Sequence, residues 1–277
     1  MSHKEFIIIM VLTALITSGV FLASTLITPT VSIPSLFNYS FSSTGTLYES
    51  GSLLGSTSPY WWVNSGAKLS IDAGTGKTVQ GSLPTNDKWR TIYASANPVD
   101  TDNGYHPQNI FRLVSKGTWH NFRQQAYFSI NQDELSESPN RNASNGLLLF
   151  NRYQDSDNLY YTGIRVDGTA VIKKKQAGKY ITLAQKPIIA GTYDRAKNPN
   201  LLPKSKWIGL RSEVVTTNGV VQIKLYTDIG KTGVWTLAAQ TVDDGKTYGP
   251  IIDSKSSAGI RTDFMDVAFD DYKIEEL

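Results

Sequence analysis

Cysteine is absent from the 277 residues. Disulfides, thiolate metal sites and a lipid-bearing anchor cysteine are therefore excluded together. Export remains compatible with this, because an oxidising compartment permits disulfides without requiring them. A charge excess is also lacking: 27 Lys and Arg stand against 24 Asp and Glu, a formal +3, so no global field argues for a nucleic-acid partner and any basic site must be local. Beyond Tyr60 no helical period persists. Aromatic residues, by contrast, are plentiful, with 14 Tyr, 10 Phe and 6 Trp. Tyr combines an apolar ring with a polar tip, which suits a binding surface as well as a core.

Long apolar runs are missing except for one. Phe6 to Ile27 (FIIIMVLTALITSGVFLASTLI) carries no charge, follows Lys4 and precedes Pro29. As a helix it would extend about 33 Å, enough to cross a bilayer core. No small-x-small pair stands well placed for cleavage near its end, so an uncleaved transmembrane anchor is expected, with a cleaved, secreted form as the alternative. Lys4 on one side, with no Lys or Arg from Thr28 until Lys68 on the other, puts the bulk of the chain outside the cytoplasm. Pro29 to Ser58 holds nine Ser and four Thr with Glu49 as its one charge, the composition of a stalk. The expected organisation is an anchor at 1–28, a stalk at 29–44 and one domain at 45–277.

Within that domain, short runs rich in Tyr, Ile, Val and Thr recur between turn signals. Asp157 to Lys186 reads as three strands joined at Asp167-Gly168 and Ala177-Gly178, with both central residues of each turn expected at positive φ. Asn218-Gly219 marks another hairpin. Tyr60–Val63, Lys68–Asp72, Lys77–Gln80 and Trp89–Ala94 are further expected strands. Tyr193 to Lys206 is expected to be an extended loop. Asn121 to Asn131 alternates, with Phe122, Ala126, Phe128 and Ile130 on one face and Arg123, Gln125, Tyr127 and Ser129 on the other. About a dozen antiparallel strands need two packed sheets, so the fold class is all-β, a two-sheet sandwich.

WWVNSG, the NLYYTGIRVDGTAVIKKK meander, WIGLRSEV…NGVVQIKLY and the terminal AGIRTDFMDVAFDDYKI together resemble the concanavalin A-like (laminin-G-like) jelly rolls of bacterial surface proteins. The resemblance implies fold more strongly than function, because the superfamily hosts lectins, carbohydrate-binding modules, hydrolases, lyases and adhesion domains. The E-x-D-x-x-E pattern of its hydrolases is missing, and Glu134 and Glu137 read as solvated loop groups. Binding a glycan or another cell-surface polymer is the function expected first, with Arg123, Gln125, Tyr127, Asn151, Tyr161, Arg165, Lys173, Lys175 and Trp61 as ligand residues. A lyase for acidic glycans is the alternative, using Arg123, Gln125 and Tyr161 with His106 or His120 as base. An adhesive protein-contact module is a third reading. The same resemblance implies a structural calcium ion at Asp271, or at Asp270.

Overall fold

The computed structural model describes residues Leu36–Leu277. The apolar run Phe6–Ile27 and the first part of the expected stalk lie outside those residues. Among the described residues no helix is long and apolar enough to cross a membrane.

In chain order the elements are β1 (Leu36–Tyr39), β2 (Gly45–Tyr48), β3 (Trp61–Ser65), β4 (Lys68–Asp72), β5 (Thr75–Lys77), helix α1 (Lys88–Ala96), β6 (Ile110–Ser115), β7 (Phe122–Asp133) and β8 (Gly146–Asp155). They continue as β9 (Asn158–Arg165), β10 (Thr169–Gln176), β11 (Lys179–Pro187), β12 (Trp207–Thr217), β13 (Val220–Ile229), β14 (Thr236–Asp243), β15 (Ser257–Asp263) and β16 (Met265–Glu276). Nine strands form one sheet, in the order β14-β13-β12-β7-β16-β5-β4-β2 with β1 also paired to β16. Seven form the other, in the order β11-β10-β9-β8-β15-β6-β3. The result is the antiparallel two-sheet sandwich expected from the sequence.

Alternation along each strand builds the core. Phe122, Ala126, Phe128 and Ile130 of β7 share one buried cluster with Leu147 and Leu149 of β8, Ile260 of β15 and Phe269 of β16. A polar thread runs through this apolar layer. Gln124 of β7 donates to the Phe150 carbonyl and to Asn151 Oδ1 at 2.8 Å, Ser212 Oγ donates to the same Asn151 oxygen at 2.7 Å, and Tyr272 Oη donates to Gln124 Oε1 at 2.8 Å. These side chains are fully buried and mutually hydrogen-bonded, which fixes the two sheets in register at low desolvation cost.

Four sequence expectations are corrected. Trp89–Ala94 is helical, because Asp87 caps α1 by accepting from the Trp89 N–H and the helix buries Trp89 and Tyr93. The short strand near Lys77 is Thr75–Lys77 and does not run on to Gln80. At Asp167-Gly168 only Gly168 takes positive φ: the loop is Val166–Gly168, and the Gly168 N–H bonds the Arg165 carbonyl at 2.9 Å. Ala177-Gly178 and Asn218-Gly219 do have both residues at positive φ. Finally, Leu36–Tyr39, within the expected stalk, pairs with Tyr272–Glu275 of β16, and Phe41 is buried. Its alternating apolar residues give this stretch something to bury.

Candidate functional site

The outer face of the seven-stranded sheet carries a groove of about 530 Å³. Strand register builds its floor. Arg112 of β6 lies opposite Arg261 of β15, Arg261 opposite Leu148 of β8, Leu148 opposite Gly163 of β9, and Gly163 opposite Val171 of β10. The next row outward runs Val114, Gly259, Phe150, Tyr161 and Lys173. Leu148, Phe150, Tyr161 and Val171 form a second apolar cluster, separate from the sandwich core.

Tyr180, on the edge strand β11, reaches back over this floor. Its ring stands edge-on to Tyr161 at 6.0 Å, and Arg261 Nη1 lies 3.5 Å from its hydroxyl. In a flat sheet β11 and β15 would be about 19 Å apart, so two side chains span that interval only because the sheet curls toward this face. Glycines permit the curl. A Cβ on Gly163 would stand 2.1 Å from the Leu147 carbonyl oxygen, and one on Gly259 2.2 Å from that of Leu113. Asn140, Asn142 and Asn145 supply amides along one wall, with Asp100 among them, held by Ser138 and Asn140.

The groove is basic. Arg261 Nε bonds Asp263 Oδ1 at 2.8 Å, Arg165 pairs with Asp167 at 2.6 Å, and Lys175 pairs with Asp157 at 2.9 Å. Arg112 and Lys173 have no carboxylate partner among the described residues; Lys173 Nζ lies 6.0 Å above the Tyr161 ring. Burial, then the Arg261 charge, lowers the Arg112 pKa. Burial, then Arg165, does the same to Lys173. Burial acts on Tyr180 in the opposite sense, raising its phenol, but Arg261, Lys175 and Arg112 outweigh it and hold the phenol below its ordinary value.

The expected site residues divide between the two sheets. Tyr161 and Lys173 line the groove, Lys175 lies beside Tyr180, and Arg165 shares the face. Arg123, Gln125 and Tyr127 sit on β7, in the opposite sheet, so they do not join it. Arg123 pairs with Glu213 at 2.7 Å and Glu275 at 3.4 Å, Gln125 receives Arg211 at 2.8 Å, and Tyr127 donates to Asp228 at 2.9 Å. Asn151 and Trp61 are fully buried, the first in the polar thread and the second against Tyr272. His120 is held by Asp253 at 2.9 Å. Neither histidine lines the groove, so the expected lyase constellation does not assemble.

Asp270 and Asp271, where calcium was expected, share one ammonium: Lys231 Nζ stands 2.5 Å from Asp270 and 2.9 Å from Asp271, and its single positive charge offsets one of their two negative ones. Sequence reading missed Arg112, Arg261 and Tyr180. In IFRLVS and AGIRTD each Arg alternates with core residues, which marks it as outward; nothing local says that β6 and β15 are neighbours.

His106 belongs to a different cluster. Its Nδ1 lies 2.8 Å from Asp102 and its Nε2 lies 2.8 Å from Ser82 Oγ and 3.4 Å from Glu134. Glu134 is 5% exposed and thus not the solvated group expected. Burial, then the Asp266, Asp102 and Asp133 carboxylates, push it up to about 8. The folded state therefore holds a proton that the unfolded chain releases near 4.5. The stabilisation is complete below that pH and is lost as pH rises through about 8. The melting temperature should fall by several degrees from pH 5 to 8.5, and Glu134→Gln, which mimics the protonated acid, should flatten that slope. A Gln variant with an unchanged slope would assign the pH dependence elsewhere.

No family model matches the chain, and neither does any curated protein. Among solved structures it is similar to the carbohydrate-binding module CBM66 from Bacillus subtilis, at 11% identity over 78% of this chain and 95% of that one, with a TM-score of 0.48. It is also similar to winged bean acidic lectin complexed with methyl-α-D-galactose, at 11% identity over 86% and 96%, TM-score 0.48. A third is Bacillus licheniformis β-glucanase, at 10% identity over 87% and 98%, TM-score 0.46.

Proposed function

We propose that this chain binds glycans in the groove on the outer face of the seven-stranded sheet. The observation that carries the reading is the company kept by Tyr180. Tyr180 is 52% exposed and its ring stands beside Tyr161, with Arg112, Arg261 and three Asn amides in the same groove. A sugar needs such a set: an apolar surface for its C–H face and planar polar groups for its hydroxyls. Screening the purified domain against immobilised glycans tests it. Tyr180→Ala should cut binding at least about tenfold, the loss of one stacking contact, whereas Arg123→Gln on the opposite sheet should leave it unchanged. Absence of binding to any glycan would favour a protein-contact module instead.

A lyase remains the second reading, on one specific observation: the lowered Tyr180 phenol lies within 3.5 Å of an arginine. A phenolate can take the proton beside a carboxylate that a cation neutralises. Unsaturated product, followed by ultraviolet absorbance and abolished in Tyr180→Phe, would establish turnover. We further propose that residues 1–28 anchor the domain to a membrane and present the groove outside the cytoplasm. Release of the protein from the membrane fraction on deleting that segment tests this.

A further inference from the structure

The groove contains more than glycan binding requires. Three cations on this face have carboxylate partners at 2.6 to 2.9 Å, namely Arg165, Lys175 and Arg261, and the last of these lines the groove itself. Arg112 is different. It is partly buried, it lies opposite Arg261 in the register, and its guanidinium makes no hydrogen bond or ion pair among the described residues. A planar donor fork held in a groove without an acceptor is costly, because a charged group that loses water needs a partner. Lys173, across the floor and against Tyr161, also lacks a carboxylate. Two carboxylates line the same groove. Asp263 is occupied by Arg261, and Asp100 is held by the Ser138 hydroxyl and the Asn140 amide. Neither bonds Arg112.

We infer that the groove selects glycans whose rings bear an anionic group, carboxylate or sulfate, and that Arg112 receives that group with Lys173 in support. The inference rests on the glycan reading above and specifies its ligand class. The guanidinium fork matches two oxygens of either anion at once, which a neutral hydroxyl cannot reproduce. Both lowered pKa values agree, since the charge of an arriving anion would offset the desolvation and the like-charge repulsion that cause them.

Calorimetric titration with oligosaccharides of matched length, one set polyuronate, one sulfated and one neutral, tests it. Wild-type protein should bind an anionic set roughly tenfold to a hundredfold more tightly than the neutral one, the worth of one charge-assisted pair, and added salt should narrow the gap. Preference between the uronate and sulfated sets identifies the anion. Arg112→Gln should remove the preference, with an unchanged thermal melt to show that the fold is intact; Arg112→Lys should restore part of it. Equal affinity for neutral and anionic chains would overturn the inference while leaving the glycan reading in place, as would an Arg112→Gln variant that keeps the preference. Failure of all three sets to bind would overturn both.

Discussion

Replacing Lys174 by Met is expected to destabilise the domain by about 3–5 kcal/mol, the usual result of removing one partner of a buried ion pair. Lys174 and Asp243 are both 0% exposed, and Lys174 Nζ lies 2.8 Å from Asp243 Oδ2. Three backbone carbonyls complete the ammonium's shell: Tyr248 at 3.2 Å, Gly249 at 3.0 Å and Pro250 at 2.5 Å. Tyr160 donates to the same Asp243 oxygen at 2.6 Å and accepts from the Ile252 N–H at 3.0 Å. The ion pair, with Tyr160 on its carboxylate, thus joins β9 and β10 of one sheet to the end of β14 in the other and pins the segment between Asp243 and β15.

Met has a similar length and no charge, so the variant leaves Asp243 and three carbonyls without their cation. The melting temperature should fall by roughly 2–4 °C per kcal/mol for a domain of this size. Adding Asp243→Asn should recover part of the loss, because the stranded charge goes with it, and the two substitutions should be strongly non-additive. A Lys174→Met protein within about 1 kcal/mol of wild type would show that Asp243 is accommodated without its cation, through Tyr160 and the Gly245 N–H.

The second large effect is expected at Gly163→Ala. The added methyl would stand 2.1 Å from the Leu147 carbonyl oxygen and 2.8 Å from Leu148 Cδ2. The Leu148 side chain can turn aside, but the carbonyl belongs to the neighbouring strand, so β8 and β9 must separate. Overpacking of this kind costs ~1–3 kcal/mol, and the backbone contact places Gly163 at the upper end. The methyl also points into the groove floor between Leu148 and Val171. Glycan affinity should therefore fall together with stability. Urea unfolding beside a binding titration measures both; a variant that keeps its unfolding midpoint would mean that the sheet flattens freely and that glycine is not what sustains the curl.

Much of the strand content was legible because side-chain alternation and turn chemistry are local. The meander from Asp157 to Lys186, the Asn218-Gly219 hairpin and the alternating faces of Asn121–Asn131 stand largely as the sequence implied. Trp89–Ala94 misled for a local reason as well: Trp, Thr, Ile and Tyr favour strands, yet the Asp87 cap and the burial of Trp89 and Tyr93 outweigh that preference. Lys174 was invisible in another way. Alternation places it with Ala170 and Ile172 on the core side, but its partner lies 69 residues away.

By itself, then, the sequence determined an antiparallel β sandwich and the two alternating faces of strands such as β7, since a period of two follows from the pleat alone; Asn151 and Trp61 show that it did not always say which face is the core. Tertiary structure decided which outward face each residue shares. A sandwich has two such faces, and alternation is identical for both. Arg123, Gln125 and Tyr127 therefore looked like companions of Tyr161 and Lys173 until strand pairing put β7 in one sheet and β9 and β10 in the other. The same pairing brought Arg112 beside Arg261 and curled the sheet until Tyr180 met them, and that juxtaposition defines the site.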